Sequence, residues 1–338
     1  MASLTGSIVA IVSPMHDDGS LDLDAFRKLI DWHIAEGTDG IVVVGTTGES
    51  PTVDFDEHHL LIKTAVEHGN RRVPIIAGTG ANSTREAIEL SVYAKQVGAD
   101  MSLSVVPYYN KPTQDGLYQH FRAIAEAVDI PQIVYNVPGR TGTNIEPATL
   151  MRLATHPNIV AVKEASGNIE QIMTILRDRP EGFAVLSGDD SITYPMLAMG
   201  GDGIISVASN EIPGEMAALC EAAFAGDWAT ARAMHFRYLD LMRVNFIAPN
   251  PVPVKAAMAE MGLIEDVLRA PLLVRWPGAT KPGSVNRALV SNLDFAETFL
   301  DLAGVPIPDR MQGRSLAPIL RGQTPADWRT SFYYQYFE

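Results

Sequence analysis

Eight short runs rich in valine and isoleucine, recurring at regular intervals, most constrain what this chain can fold into. They are "GSIVAIVS" (6–13), "GIVVVG" (40–45), "VPIIAGTG" (73–80), "MSLSVVP" (101–107), "PQIVYNVP" (131–138), "IVAVKEAS" (159–166), "FAVLSGDD" (183–190) and "GIISVASN" (203–210). As a set they do not alternate polar with apolar residues, "MSLSV" excepted, so they read as strands buried on both faces, the pattern of parallel sheets covered by helices. Amphipathic stretches such as "DLDAFRKLIDWHIAEG" and "STREAIELSVYAKQVG" lie between them. Each opens near an Asp, Ser or Thr cap and closes on a glycine, as helices do. Eight βα units in roughly 210 residues fit a (β/α)8 barrel, the TIM barrel, better than an open doubly wound sheet. An open sheet would have fewer strands and a glycine-rich phosphate loop after the first, and that loop is missing.

In a barrel of this kind the active site lies at the C-terminal ends of the strands and in the loops that follow. The residues there are unusually polar for their positions. "GTTGES" follows the second strand with Thr46 and Thr47, and "PYYNKP" follows the fourth with Tyr108 and Tyr109. "YNVPGRTG" ends the fifth with Tyr135 and Arg140, and "IVAVKEASG" places Lys163 at the end of the sixth. Taken alone, Lys163 would be a strand end snorkelling to solvent, "GTTG" a turn and "PYYN" aromatic packing. Their convergence on one barrel mouth favours chemistry.

A lysine among apolar walls loses its preference for the charged form, and the free amine attacks carbonyls. The product is a Schiff base, whose electron withdrawal lets a bound keto acid become an enamine nucleophile. Tyr135, one strand away, is the best placed acid/base, with Thr46 and Tyr109 able to pass the proton to solvent. Thr47 and the amides around Gly45 and Gly48 suit a substrate carboxylate, and Arg140 offers a bidentate fork to a second.

Composition narrows the partners. A net charge of −14 over 338 residues leaves no basic surface for nucleic acid or an anionic membrane, so small-molecule substrates are expected. The single cysteine, Cys220, permits no intramolecular disulfide and reads as a small buried hydrophobe in a helix. The opening "MASLTGSIVAIVSPMHDD" has no basic leader, and its apolar run is too short for a signal peptide or a membrane span, so a cytoplasmic protein is expected. The adjacent histidines of "DEHH" lack helical ligand spacing, and no metal is expected.

"GTTGES", "PYYNKPTQDGLYQHF", "YNVPGRTG" and "VKEASG" resemble the dihydrodipicolinate synthase family from about residue 4 to about residue 270. The resemblance implies a lyase-type synthase of the lysine and diaminopimelate pathway that condenses pyruvate with aspartate semialdehyde through an imine on Lys163. It needs no cofactor beyond that covalent pyruvate imine. The resemblance assigns Tyr135, Thr46 and Tyr109 to a proton relay, with Tyr109 reaching in from a neighbouring subunit of a dimer or tetramer. It gives Thr47, Gly188 and the Ile205 carbonyl to pyruvate, and Arg140 to the semialdehyde carboxylate. It also suggests a lysine feedback site at Ser50, His58, Asn82, Glu86 and Tyr108. That match is incomplete, since Phe55 stands where lysine-sensitive members often carry histidine and Pro51 replaces a small residue. Other pyruvate-dependent class I aldolases or lyases of the family are the alternative, the Arg140 motif usually being replaced in them.

After the eighth strand, "PGEMAALCEAAFAGDWATARAMHFRYLDLMRVNF" and "PVPVKAAMAEMGL" read as helices, giving a barrel over 1–225 and a partial helical domain over 226–270. The composition then changes. Residues 271–338 hold 7 Lys or Arg against 6 Asp or Glu, whereas the preceding 270 hold 19 against 34. "APLLVRWPGATKPG", "ALVSNLDFAETFLDLAGVPIP", "MQGRSLAPILRG" and "WRTSFYYQYFE" resemble an internal piece of a type I sulfatase, without that family's C/S-x-P-x-R nucleophile motif or acidic metal ligands. The chain therefore reads as a fusion with its junction near "VLRAPLLV". Leu293, Phe295, Phe299 and Leu300 are expected to present apolar surface there. A non-catalytic chimera is the competing outcome.

Overall fold

The computed structural model describes residues 4–269, 301, 314–321 and 323–328. The chain divides into two compact units, residues 1–270 and 271–338. In the first, β1 (Gly6–Ala10), β2 (Gly40–Val43), β3 (Ile75–Gly78), β4 (Met101–Val105), β5 (Gln132–Asn136), β6 (Ile159–Glu164), β7 (Ala184–Ser187) and β8 (Gly203–Ser206) form a closed barrel in sequence order. Every neighbouring pair is parallel, and β8 closes on β1 with Ile205 opposite Ile8.

The strand period of two sorts each run between two cores. Ile8, Val42, Ile76, Ile133, Ala161, Leu186 and Ile205 fill the lumen. Val9, Ile41, Val43, Val134 and Val162 face the surrounding helices. This double burial is why the strands other than β4 do not alternate polar with apolar, and why the two serines that alternate in β4, Ser102 and Ser104, are themselves fully buried. Tyr135 and Lys163 share the parity of Ile133 and Ala161, so alternation alone aims both at the lumen.

The helices begin as their caps dictate. Asp22 accepts the Ala25 amide at the start of α1 (Leu23–Ala35), and Ser83 accepts the Glu86 amide at the start of α3 (Thr84–Val97). At α2 (Phe55–Gly69), Asp54 accepts the Glu57 amide while the Glu57 carboxylate accepts the Asp54 amide, a reciprocal box that satisfies two otherwise orphaned donors. Gly98 closes α3 in the left-handed region with φ 92°. The remaining helices that follow strands are α4 (Gln114–Ala127), α5 (Pro138–Thr141), α6 (Pro147–Leu153), α7 (Ile169–Asp178) and α8 (Thr193–Ala198).

The barrel is followed by α9 (Pro213–Phe224), α10 (Trp228–Val244) and α11 (Val252–Glu260). Cys220 is buried in α9, and burial pushes its thiol up to about 12, which leaves it inert. No helix among the described residues is long and apolar enough to cross a membrane.

In the second unit, Ala317–Leu320 forms one helical turn. The Arg314 guanidinium lies 4.9 Å from the centroid of the Trp328 ring and donates to the Asp327 carboxylate at 3.0 Å. The expected apolar positions Leu293, Phe295, Phe299 and Leu300 lie outside the described residues.

Candidate active site

The barrel mouth is assembled from strand ends that stop earlier than their apolar runs. The second run continues to Gly45, but β2 ends at Val43 because Val44 turns into the left-handed region with φ 53°. For a β-branched residue this is a true conformational outlier. The turn is possible because glycines surround it: a Cβ on Gly78 would stand 2.3 Å from the Val44 carbonyl oxygen, and one on Gly48 would stand 3.0 Å from the Val44 Cα. Thr46 and Thr47 follow at once, held on a turn closed by the Glu49 amide donating to the Thr46 carbonyl at 3.1 Å.

Thr46, Ser50, Tyr108, Tyr135, Arg140 and Thr141 are among the walls of a cavity of about 220 Å³. Lys163 is not one of its walls. The Lys163 amine lies 4.4 Å from the centroid of the Tyr135 ring, and the two residues are register partners on β5 and β6. Both are buried, with Lys163 only 5% exposed.

Burial pulls the Lys163 ammonium down to about 8; the Asp190 carboxylate opposes that shift and the Arg140 guanidinium adds to it. Burial also raises the Tyr135 phenol, while the Arg140 charge and a hydrogen bond with the Thr46 side chain draw it back. Asp190 is itself raised by burial, though the Ser206 hydroxyl donates to it at 2.6 Å and the Val207 and Ala208 amides at 3.1 and 3.2 Å. An amine about half free near pH 8, beside a buried phenol, can attack a carbonyl and exchange protons with the product.

Gly188 lets the lysine lie where it does. A Cβ there would stand 2.8 Å from the Ala165 Cβ and 3.0 Å from both Cγ and Cε of Lys163. Ile205 sits fully buried on β8. Thr47 is also buried, its hydroxyl accepting the Asn250 side-chain amide at 2.9 Å. The Arg140 guanidinium donates to the Asn250 carbonyl at 3.3 Å. Tyr109 alone of the expected relay stands apart: it is 90% exposed, on a backbone with φ 71°.

The five residues expected to form a lysine site divide. Ser50 and Tyr108 line the cavity, and Asn82 donates to the Tyr108 carbonyl at 3.3 Å. The Glu86 charge adds to the burial that raises the Tyr108 phenol. His58 is buried, its Nε2 bonded to the Gly78 carbonyl at 2.7 Å, and burial lowers its pKa to about 4.

Sequence reasoning passed over Glu49, Asp190, Asn250 and Lys255. Two had a signal. Glu49 belongs to "GTTGES" itself, and Asp190 ends the seventh apolar run. Lys255, a lone cation in the apolar "PVPVKAAM", and Asn250 had none that a local pattern supplies.

A closed (β/α)8 barrel whose mouth gathers a buried amine, a buried phenol and a guanidinium defines a barrel enzyme of the lyase and synthase class. The chain belongs to the dihydrodipicolinate synthetase family, whose model matches residues 3–276. The C-terminal model of N-sulphoglucosamine sulphohydrolase matches residues 261–338, so the chain joins parts of two families. The 4-hydroxy-tetrahydrodipicolinate synthase of Nitrosospira multiformis is 64% identical over 270 residues, 80% of this chain and 90% of that one. The chloride-inhibited dihydrodipicolinate synthase of Acinetobacter baumannii, solved with pyruvate, superposes with a TM-score of 0.78 at 50% identity, covering 80% of this chain and 93% of the other. A dihydrodipicolinate synthase variant described as monomeric superposes equally well, TM-score 0.78 at 42% identity, over 81% and 92% of the two chains.

Proposed function

We propose that this chain condenses pyruvate with L-aspartate 4-semialdehyde to give 4-hydroxy-tetrahydrodipicolinate. The observation that carries the reading is the buried Lys163 amine against the Tyr135 ring, at the C-terminal end of β6.

The free amine attacks C2 of pyruvate, and water leaves as the imine forms. Loss of a proton from the methyl carbon gives the enamine, which attacks the aldehyde carbon of the semialdehyde, and the aldehyde oxygen takes up a proton to become a hydroxyl on that carbon. The amino group of the semialdehyde then displaces Lys163, closing the ring and freeing the amine. Tyr135 gives and takes the protons of these steps, with Thr46 in hydrogen-bonding reach and Tyr109 as the link to solvent. Thr47 and its turn hold the pyruvate carboxylate, the Gly188 space and the Ile205 carbonyl accommodate the imine, and Arg140 holds the semialdehyde carboxylate. The reaction needs no resident cofactor.

The 90% exposure of Tyr109 supports an assembly in which a dimer or tetramer brings it to a neighbour's site. A lysine feedback site at Ser50, His58, Asn82, Glu86 and Tyr108 is a further element of the reading. It is supported by the grouping of Tyr108 with Asn82 and Glu86. The division into a barrel over 1–225, a partial helical domain over 226–270 and a sulfatase-like tail from 271 belongs to the same proposal, as does a cytoplasmic location.

Reduction with borohydride in the presence of pyruvate, followed by intact and peptide-mapped mass, tests the chemistry. An adduct confined to Lys163 is expected. A folded protein without an adduct would make the chain a non-catalytic chimera.

A further inference from the structure

Lys255 is one of the largest fully buried side chains of the described residues, with no exposed surface, and none of the chemistry above uses it. From α11 its Nζ donates to the Glu49 carboxylate at 2.8 Å and to the Ser13 carbonyl at 3.0 Å. Glu49 belongs to the turn that carries Thr46 and Thr47, and Ser13, in the loop after β1, is bonded to that turn. Glu49 closes that turn through its own amide, and the Ser13 hydroxyl donates to the Gly48 carbonyl at 2.8 Å. The second carboxylate oxygen of Glu49 accepts the Arg269 amide at 2.9 Å. Arg269 is in turn fastened by its guanidinium to the Glu57 carboxylate and to the Gly19 and Thr52 carbonyls.

Resting on the synthase reading above, we propose that Lys255 is a positioning residue for the keto-acid carboxylate. With Glu49 it fixes the Thr46–Thr47 turn from below, so the segment 250–269 is part of the pyruvate subsite's support.

Two physical points favour positioning over plain stabilisation. Taking both charges out of water costs about as much as their attraction returns, so a buried ion pair is a poor source of stability but an effective source of unique geometry. The turn also needs outside support: Val44 and Glu49 both hold left-handed backbone, φ 53° and 58°, which persists only where the surroundings over-determine it. Among the described residues the clasp reaches as far as Arg269.

The test compares the full chain with the Glu49→Gln variant and the Glu49→Gln/Lys255→Met double variant, the latter leaving no unpaired buried charge. Pyruvate KM is expected to rise about tenfold in the double variant and by less in Glu49→Gln, with the KM for the semialdehyde little changed. The Lys163 adduct should still form at saturating pyruvate. A purely structural role would lower the thermal midpoint and the active fraction while leaving KM alone, so an unchanged pyruvate KM in either folded variant overturns the proposal. Failure of the parent chain to trap pyruvate would overturn the synthase reading, and this inference with it; that outcome is visible before any variant is made.

Discussion

Lys163 and Tyr135 face each other across one rung of the barrel: register partners on adjacent strands, with the amine 4.4 Å from the ring centroid. The ring helps to wall the amine from water, and burial is what brings its pKa down to about 8. Nucleophile and proton carrier thus create each other's environment.

The rate of pyruvate adduct formation at low pyruvate should follow the free amine, rising about tenfold per pH unit below about 8 and levelling above. The linked effect on stability has the same sign. The folded-state value lies below the ordinary lysine value of 10.5, so between the two the unfolded chain holds a proton that the folded chain lacks. Stability from this group therefore increases with pH across that window, and near pH 7 the folded protein bears the cost of a buried ammonium. Lys163→Met should abolish the adduct and raise the thermal midpoint at pH 7 by a few degrees, with the gain shrinking towards pH 10.5. Borohydride trapping and calorimetry across pH measure the two effects.

Tyr135→Phe removes the proton carrier and keeps the ring. Imine formation should slow, and turnover should fall by about 10²–10⁴-fold, the usual range for a positioned acid/base. Steady-state kinetics beside single-turnover trapping would separate the steps; turnover within a factor of three of the parent would remove Tyr135 from the relay.

Gly188→Ala sets a methyl group 2.8 Å from the Ala165 Cβ and 3.0 Å from the lysine chain. The lysine must move, and adduct formation should slow by about tenfold or more, as expected of a misplaced reacting group. Glycine has a negative-φ backbone here, so circular dichroism should show an intact barrel.

Arg140→Ala should raise the KM for the semialdehyde by about a hundredfold, the loss of a charge-assisted contact of about 3 kcal/mol. Trapping of the pyruvate adduct should continue. Impaired trapping with an unchanged semialdehyde KM would place Arg140 at the other substrate.

Glu211 offers a test away from the chemistry. Burial pushes its carboxyl up to about 8, and the single hydrogen bond from the Asn245 side chain, 2.6 Å, only partly offsets this. The folded chain therefore holds a proton that the unfolded chain loses above 4.5, and stability from this group declines as pH rises from there to about 8. Glu211→Gln should flatten that decline and raise the thermal midpoint at pH 8. A parallel pH profile in the two proteins would show that Glu211 does not titrate in this range.

Much of this protein follows from local pattern. Eight apolar runs, all but "MSLSV" without alternation, dictate a sheet buried on both faces, and the two-residue period aims Lys163 and Tyr135 inward once Ala161 and Ile133 are taken as core. The cap at Ser83 and the left-handed Gly98 mark one helix from end to end. Strand ends were less legible, because Val44 leaves its strand through a backbone conformation that valine does not favour and that only neighbouring glycines permit. What tertiary structure alone decided is the support of the site. Thr47 meets Asn250 across 203 residues of chain, and Glu49 meets Lys255 across 206. Periodicity relates residues a few positions apart; these pairs exist only because ring closure returns the chain to its starting edge and lays α11 against the first two loops. The sequence by itself determined the barrel and the inward amine, since both are properties of strand period and burial. Closure of the barrel decided what holds the substrate turn in place, because only there do two distant, buried charges find each other.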